Sequence, residues 1–277
     1  MLIRSQKSTG VSLVNGGGAS RIMGLAGGRK YLNEKRINIV DETGVSAGAI
    51  MTMFSMAGVH NVEQITDLML EFFPKPVSDL FTALWRHPYN ILSWFLGDGL
   101  ADMLPRMGTP PFSFPSGEQM DLLPIIRIVW KKLGLHKPRK GFRFITTDES
   151  GNPITFPNAS GDDYDGPVAV TGSCTIPYVF KAPECLIKGR LTKLYDGAVF
   201  HPHPVNWSPT AAIVLQLFPF PQYQMRPSDI QVFVGKAGFP PLARLTREVI
   251  EDHVRCGYLQ AKTALAEPIS KGLVPCR

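Results

Sequence analysis

A serine set between two glycines, Gly44-Val45-Ser46-Ala47-Gly48, constrains this chain more than any other stretch. It follows a short apolar run, Ile37-Asn38-Ile39-Val40, and leads into Ala49 to Gly58, small and apolar enough for a buried helix. A strand that turns sharply into a helix holds one side chain out at the bend, and flanking glycines remove the side chains that would collide there. The pattern therefore fits a nucleophile elbow carrying Ser46. Without that context the same residues are a plain glycine-rich turn, so the strand before and the helix after carry the argument.

A serine nucleophile needs donors for the negative charge that grows on a substrate carbonyl oxygen. Val11-Ser12-Leu13-Val14 reads as a strand that ends abruptly in Asn15-Gly16-Gly17-Gly18, and Arg21 to Leu32 reads as the helix that follows. Backbone N–H groups of Gly16, Gly17 and Gly18 at the start of a helix suit such an oxyanion hole, and Arg21 adds a fixed positive charge. The loop lacks both a Walker ending and a G-x-G-x-x-G spacing, which weakens a nucleotide-binding reading. The serine proton needs an acceptor. Of the pairs Asp98-Gly99, Asp165-Gly166 and Asp196-Gly197, the first lies among aromatics and the second in an acidic, solvated loop. Asp196 follows the strand candidate Leu191 to Tyr195, which places it at the end of a core strand.

The remaining chain alternates strand and helix signals, as one α/β layered domain over residues 1–277 requires. Further strands are expected at Gly141 to Thr147, Val168 to Val170, Ala211 to Leu217 and Asp229 to Val234, with one amphipathic helix over about 241–265. Residues from about 60 to 125 differ in kind. They carry Trp85, Trp94 and a proline-rich turn at Thr109-Pro110-Pro111, and read as a helical, aromatic-rich insertion.

Composition limits what such a domain meets. Hydrophobic residues make up 44% and charged residues 19%, which excludes a disordered chain. The net charge is +6, with Lys131, Lys132, Lys137, Arg139, Lys140 and Arg143 grouped together. That group suits either a solvated linker or anionic lipid headgroups; no stacking platform or groove-reading helix accompanies it, so nucleic acid is not expected as a partner. Four cysteines match no zinc spacing and suggest reduced thiols in a cytoplasmic protein. Met1 to Lys7 lack the apolar core of a secretory signal, and no apolar run is long enough to span a bilayer, so membrane contact would be peripheral. No cofactor is expected. His201-Pro202-His203 lacks a third ligand nearby in sequence and reads as site rim, with no metal.

The glycine loop, the elbow and Asp196-Gly197-Ala198 stand in the order found in patatin-like phospholipases, which the chain resembles. Two more blocks agree: Val168 to Phe180, a small-residue segment with Ile176-Pro177 and a closing Phe180, and Asp196 to Val205, an Asp-Gly block running to Pro204-Val205. The resemblance covers residues 11 to 205. It implies a three-layer sandwich about a mostly parallel sheet, with a Ser46–Asp196 dyad and no histidine. It further implies Gly16, Gly17, Gly18 and Arg21 at the oxyanion and an acyl-lipid substrate, such as phospholipid, at a membrane surface. The chain departs from the family pattern in three places. Ser20 stands where a basic residue is usual, with Arg21 one position later. Asp41 and Glu42 replace apolar residues before the elbow, and His201 and His203 stand where asparagine is common.

Three rival readings stay open on sequence grounds. A conventional α/β-hydrolase would use Ser46, Asp196 and His253 in that order, with His253 on an exposed helix face and too few strands before the elbow. Acyl transfer to a carrier thiol would favour a histidine where Val45 stands. A lipid-binding protein that kept the fold but lost catalysis would need no intact Ser46 and Asp196. Within the insertion, residues from about 80 to 100 suit either an interfacial lid or ordinary helix packing.

Overall fold

The computed structural model describes residues 10–72, 120–157, 164–176, 180–199, 205–217, 226–236 and 246–276. Val11–Asn15 (β1) is buried along its whole length and lies in the middle of the main sheet. Its neighbours are Ile39–Val45 (β2) and Ala212–Gln216 (β8), both parallel to it. Phe142–Thr147 (β3) extends the parallel array beyond β2, and Ile230–Phe233 (β9) does so beyond β8. Pro153–Phe156 (β4) turns back antiparallel along the outer edge of β3. The order across the sheet is thus β4-β3-β2-β1-β8-β9. Such parallel strands read as continuous apolar runs because both faces are covered.

Helices Met23–Glu34 (α1), Ala47–Met56 (α2), Val62–Phe72 (α3), Leu123–Lys132 (α4), Gly166–Cys174 (α5) and Arg247–Ser270 (α6) pack around this sheet. Side-chain alternation splits β1 and β8 between two faces. Leu13, Ile213 and Leu215 join the main core with residues from all six helices, whereas Val14, Ala212 and Val214 form a smaller cluster with Val205. The protein has a mixed sheet of mostly parallel strands flanked by helices, the α/β architecture expected. Among the described residues, no helix is long and apolar enough to cross a membrane.

Several boundaries and one element differ from the sequence reading. Val168-Ala169-Val170 is not a strand but the middle of α5. Asp165 caps that helix by accepting from the Val168 N–H (3.2 Å), Pro167 occupies the first turn, and Gly166 lies flush against the Trp130 ring. A helix buried on every side shows no amphipathic period, so three small or β-branched residues mimic a buried strand. Asp165 is accordingly the cap of α5, solvent-exposed as expected and paired with Arg127 (3.2 Å). The final helix starts at Arg247 and ends at Ser270, later at both ends than 241–265, because Thr246 supplies its N-cap. β2 begins at Ile39 and runs through Asp41 and Glu42 to the elbow. β4 carried no expectation at all.

The strands' common direction also fixes two ends. The elbow follows the C-terminal end of β2, whereas the basic stretch from Lys131 to Arg143 closes α4 and enters the N-terminal end of β3. That group therefore lies at the opposite end of the sheet from Ser46, about a strand length away. Within it, Lys132 is engaged with Glu71, and Arg143 with Asp41 (3.0 Å).

Candidate active site

Three strand ends converge on Ser46. β1 and β2 run side by side until Asn15 faces Gly44, so the glycine loop and the elbow emerge together. On the next edge, β2 and β3 pair until Val45 meets Ile145, where β2 turns away as the elbow. The vacated edge of β3 is then taken by Tyr195–Asp196 (β7), antiparallel, with Asp196 opposite Thr146. One strand thus holds the residue before the nucleophile and the carboxylate at consecutive positions. The Ser46 hydroxyl donates to Asp196 Oδ2 at 2.7 Å, across 150 residues of sequence.

Asp196 is consequently not the end of the Leu191 to Tyr195 strand. Arg190–Lys193 (β6) forms a separate two-stranded hairpin with Glu184–Ile187 (β5), and the core contact is made by the two residues of β7 alone.

Ser46 sits at φ 54°, ψ −127°, a left-handed conformation that a serine adopts at a cost of about 1–3 kcal/mol. Its surroundings explain both flanking glycines. A Cβ on Gly44 would stand 2.4 Å from the Gly48 carbonyl oxygen, and one on Gly48 would stand 2.1 Å from that of Asn15. The strained residue is gripped from α5 by two consecutive side chains. Its N–H donates to Ser173 Oγ (2.9 Å), which itself donates to the Ile145 carbonyl (2.6 Å). Its carbonyl accepts from the Cys174 thiol (3.2 Å). Neither residue was singled out from sequence, since a serine and a cysteine in a small-residue run carry no type-level signal.

Asp196 is buried, and burial pushes its pKa up to about 7, although hydrogen bonds from Ser46 and the Ala198 N–H work in the opposite direction. A carboxylate poised near neutrality is suited to accept and return a proton.

The glycine loop divides its labour. The Gly16 N–H donates to the Leu215 carbonyl (3.0 Å) and is spent in the sheet, contrary to its expected place among the oxyanion donors. Gly17 backs directly onto the site: a Cβ there would lie 3.1 Å from Ser46 Cβ and 2.6 Å from Ala198 Cβ. Gly18 packs against Leu217. Arg21 is buried on that same side, where its Nη1 donates to the Leu217 carbonyl (3.1 Å), and burial lowers its pKa. Its charge is felt at His253 of α6.

His253 is not on an exposed face. It is 1% exposed, and burial, with Lys236 and Arg21 nearby, pushes its pKa down to about 4 against the pull of Asp252. Among the described residues, burial, Ser46 and Ala198 set the pKa of Asp196, and His253 is not one of its influences.

Asp41 and Glu42 do not crowd the elbow either. Glu42 is buried in an ion pair with Arg29 (2.5 Å) and accepts from Asn15 Nδ2 (2.7 Å), which also donates to Thr52 (3.0 Å). This network ties β2, α1 and α2 to the residue that opens the glycine loop. Asp41 accepts from Ser12 (2.8 Å) at the other end of the sheet. His201, His203, Asp98 and residues 80–100 lie outside the described residues. Among the described residues no group of three or more His, Cys, Asp or Glu side chains stands where it could hold a metal ion.

Comparison with known proteins bears on the family. No curated protein matches the chain significantly. Among solved structures, the crystal structure of VipD from Legionella pneumophila aligns over 94% of this chain and 67% of that one, at 11% identity and a TM-score of 0.46. The family model described as patatin-like phospholipase matches residues 13–206, which contain the glycine loop, Ser46, Asp196 and the whole β3 junction. The chain belongs to the patatin-like phospholipase family.

Proposed function

We propose that the protein is a lipid acyl hydrolase of the phospholipase A or lysophospholipase type, acting at a membrane surface through a Ser46–Asp196 dyad. The observation that carries this reading is the buried 2.7 Å hydrogen bond between the two side chains, with the serine held in a strained left-handed conformation. Asp196 accepts the hydroxyl proton as Ser46 Oγ attacks the acyl carbonyl. The tetrahedral oxyanion is held by backbone donors of Gly17 and Gly18, with Arg21 fixing the loop through Leu217. The Ser46 N–H is committed to Ser173 and takes no part. Collapse expels the alcohol, which takes the proton from Asp196. Water, activated by the same carboxylate, then attacks the acyl-serine and releases a free fatty acid.

Two measurements test the reading. A fluorophosphonate probe should label wild-type protein and leave Ser46→Ala unlabelled. Lipids analysed by mass spectrometry after incubation with wild type, but not with Ser46→Ala, should show free fatty acid and the matching deacylated lipid. Labelling that persists in Ser46→Ala would move the nucleophile elsewhere.

The loop supplies a further prediction. Gly17→Ala puts a methyl where Ser46 and Ala198 already stand, which displaces the donors from the reacting oxygen. Turnover of a soluble p-nitrophenyl ester should fall by about 10²-fold or more, as on removing one oxyanion donor, while KM changes little. An unchanged kcat would show that the hole is built from other donors.

A further inference from the structure

The β5–β6 hairpin, which the catalytic argument leaves unused, carries a surface of its own. Its strands pair in the register Glu184↔Lys193, Cys185↔Thr192, Leu186↔Leu191 and Ile187↔Arg190. The inner face, with Cys185 and Ile187, packs on the main core. On the outer face Leu186 and Leu191 stand opposite one another, 69% and 62% exposed. Among the described residues six large apolar side chains are exposed, and these are the two that face each other in a strand register. Single exposed leucines are ordinary, but a cross-strand pair forms a continuous apolar ridge.

Cations surround that ridge. Residues 181–193 hold Lys181, Lys188, Arg190 and Lys193 against Glu184; Lys181 faces Asp121 (3.6 Å), Lys193 faces Glu149 (3.9 Å) and Arg190 is felt at Asp148, all at the exposed surface. The tip is a two-residue turn in which Lys188 (φ 49°) and Gly189 (φ 78°) both take left-handed conformations. Such a turn favours asparagine or glycine at its first position, and here it places a lysine at the apex. Position completes the case. Because β7 runs antiparallel to β3 with Tyr195 opposite Thr147, the chain before Tyr195 lies beyond the C-terminal end of β3. There Leu194 and Pro183 close the hairpin base (2.9 Å), and Lys193 reaches Glu149 in the turn after β3 (3.9 Å). The hairpin therefore stands at the same end of the sheet as Ser46, the end from which the Lys131 to Arg143 group is excluded.

We infer that the β5–β6 hairpin docks the protein on an anionic lipid surface, Leu186 and Leu191 entering the acyl boundary while Lys188 at the tip meets the headgroups. An apolar ridge with a lysine at its apex matches that surface in both charge and polarity. The inference rests on the hydrolase reading only for its purpose. Docking itself requires no turnover, so the two can fail separately.

Co-sedimentation with phosphatidylcholine vesicles, with and without phosphatidylserine, tests it. Wild type and Ser46→Ala should both bind the phosphatidylserine vesicles and bind phosphatidylcholine alone weakly. The pair Leu186→Asp and Leu191→Asp, and separately Lys188→Glu, should each weaken binding, the leucine pair by about tenfold or more. Their melting temperatures and turnover of a soluble short-chain ester should stay at wild-type values. If the leucine pair lowers the melting temperature, Leu186→Trp replaces it: the added indole emission should shift to the blue on phosphatidylserine vesicles and stay put without them. Absence of wild-type binding, binding by the variants equal to wild type, or an unshifted emission from the Leu186→Trp variant would each overturn the inference. So would a dimer in sedimentation velocity that the leucine variants dissolve, since the ridge would then belong to a second copy of the chain. Loss of ester turnover in Ser46→Ala with vesicle binding intact bears on the catalytic reading alone.

Discussion

Asp196→Asn should reduce hydrolysis of a soluble ester by a factor on the order of 10⁴ while making the protein more stable at pH 8. The activity loss follows from chemistry: an amide cannot take the proton that Ser46 must give up. Ser46→Ala should lose as much, and the double variant no more than either, because the two side chains act as a unit. The stability gain follows from the sign of the pKa shift. Burial raises the Asp196 pKa from 3.8 to about 7, so the folded protein holds this proton more tightly than the unfolded chain does. The group's contribution to stability is full below pH 3.8 and is lost progressively as pH rises to about 7, at about 1.36 kcal/mol per unit. Asparagine removes the buried charge and should restore roughly 2–4 kcal/mol at pH 8, still able to accept from the Ala198 N–H. In the wild type kcat/KM should fall about tenfold per unit below about pH 7, as the carboxylate protonates. Denaturant melts and an ester assay at the same pH values check both halves. Appreciable activity in Asp196→Asn would revive a histidine base such as His253.

Glu42→Gln should be the most destabilising conservative change among the described residues near the site. The side chains of Arg29 and Glu42 are only 7% and 2% exposed, so the substitution strands a buried guanidinium. Breaking a buried pair from one side costs about 3–5 kcal/mol, which in a domain of this size lowers the melting temperature by roughly 6–15 °C. Replacing both partners with apolar residues, Arg29→Met with Glu42→Leu, should recover most of that loss because no buried charge remains. The recovered protein should still show a depressed kcat, since Asn15 loses the carboxylate that orients it beneath the glycine loop. A melting temperature within about 2 °C of wild type for Glu42→Gln would mean that water reaches the pair.

The sequence showed the parts of the site whose residue types are scarce and local. A glycine-flanked serine between a strand and a helix, a triple glycine after a strand and an Asp-Gly step each require a special backbone, and that requirement is written within a few residues. What could not be read was non-local. Asp196 reaches Ser46 through a two-residue strand, too short to show any period, and its partner Thr146 lies 50 residues earlier. Asp41 and Glu42 looked like intruders in an apolar strand because their partners, Arg29, Asn15, Ser12 and Arg143, come from other elements. His253 reads as exposed because Glu248, Glu251 and Asp252 lead up to it, yet tertiary packing buries it. Val168 to Val170 in the middle of α5 read as a strand because a helix covered on all sides has no polar face to reveal its turn. Ser173 and Cys174 follow in the same run of small residues, where nothing in their type marks them as the groups that hold the strained serine.

The shared edge of β3 gives the dyad a ruler. Ile145 is the partner of Val45, the residue before the nucleophile, and Thr146 is the partner of Asp196, so the carboxylate stands one residue step, about 3.3 Å along a single strand, beyond the point where the elbow leaves it. Nothing in that measurement involves the long stretch of chain between the two residues. Lineages of this fold are therefore free to lengthen or shorten the connections on either side of β3 without retuning the chemistry, provided α5 still brings Ser173 and Cys174 to Ser46. A single insertion inside β3 would turn the next side chain to the opposite face and silence the site at a stroke. Substrate range can drift in the inserts while the reaction stays locked to the 6 residues of β3.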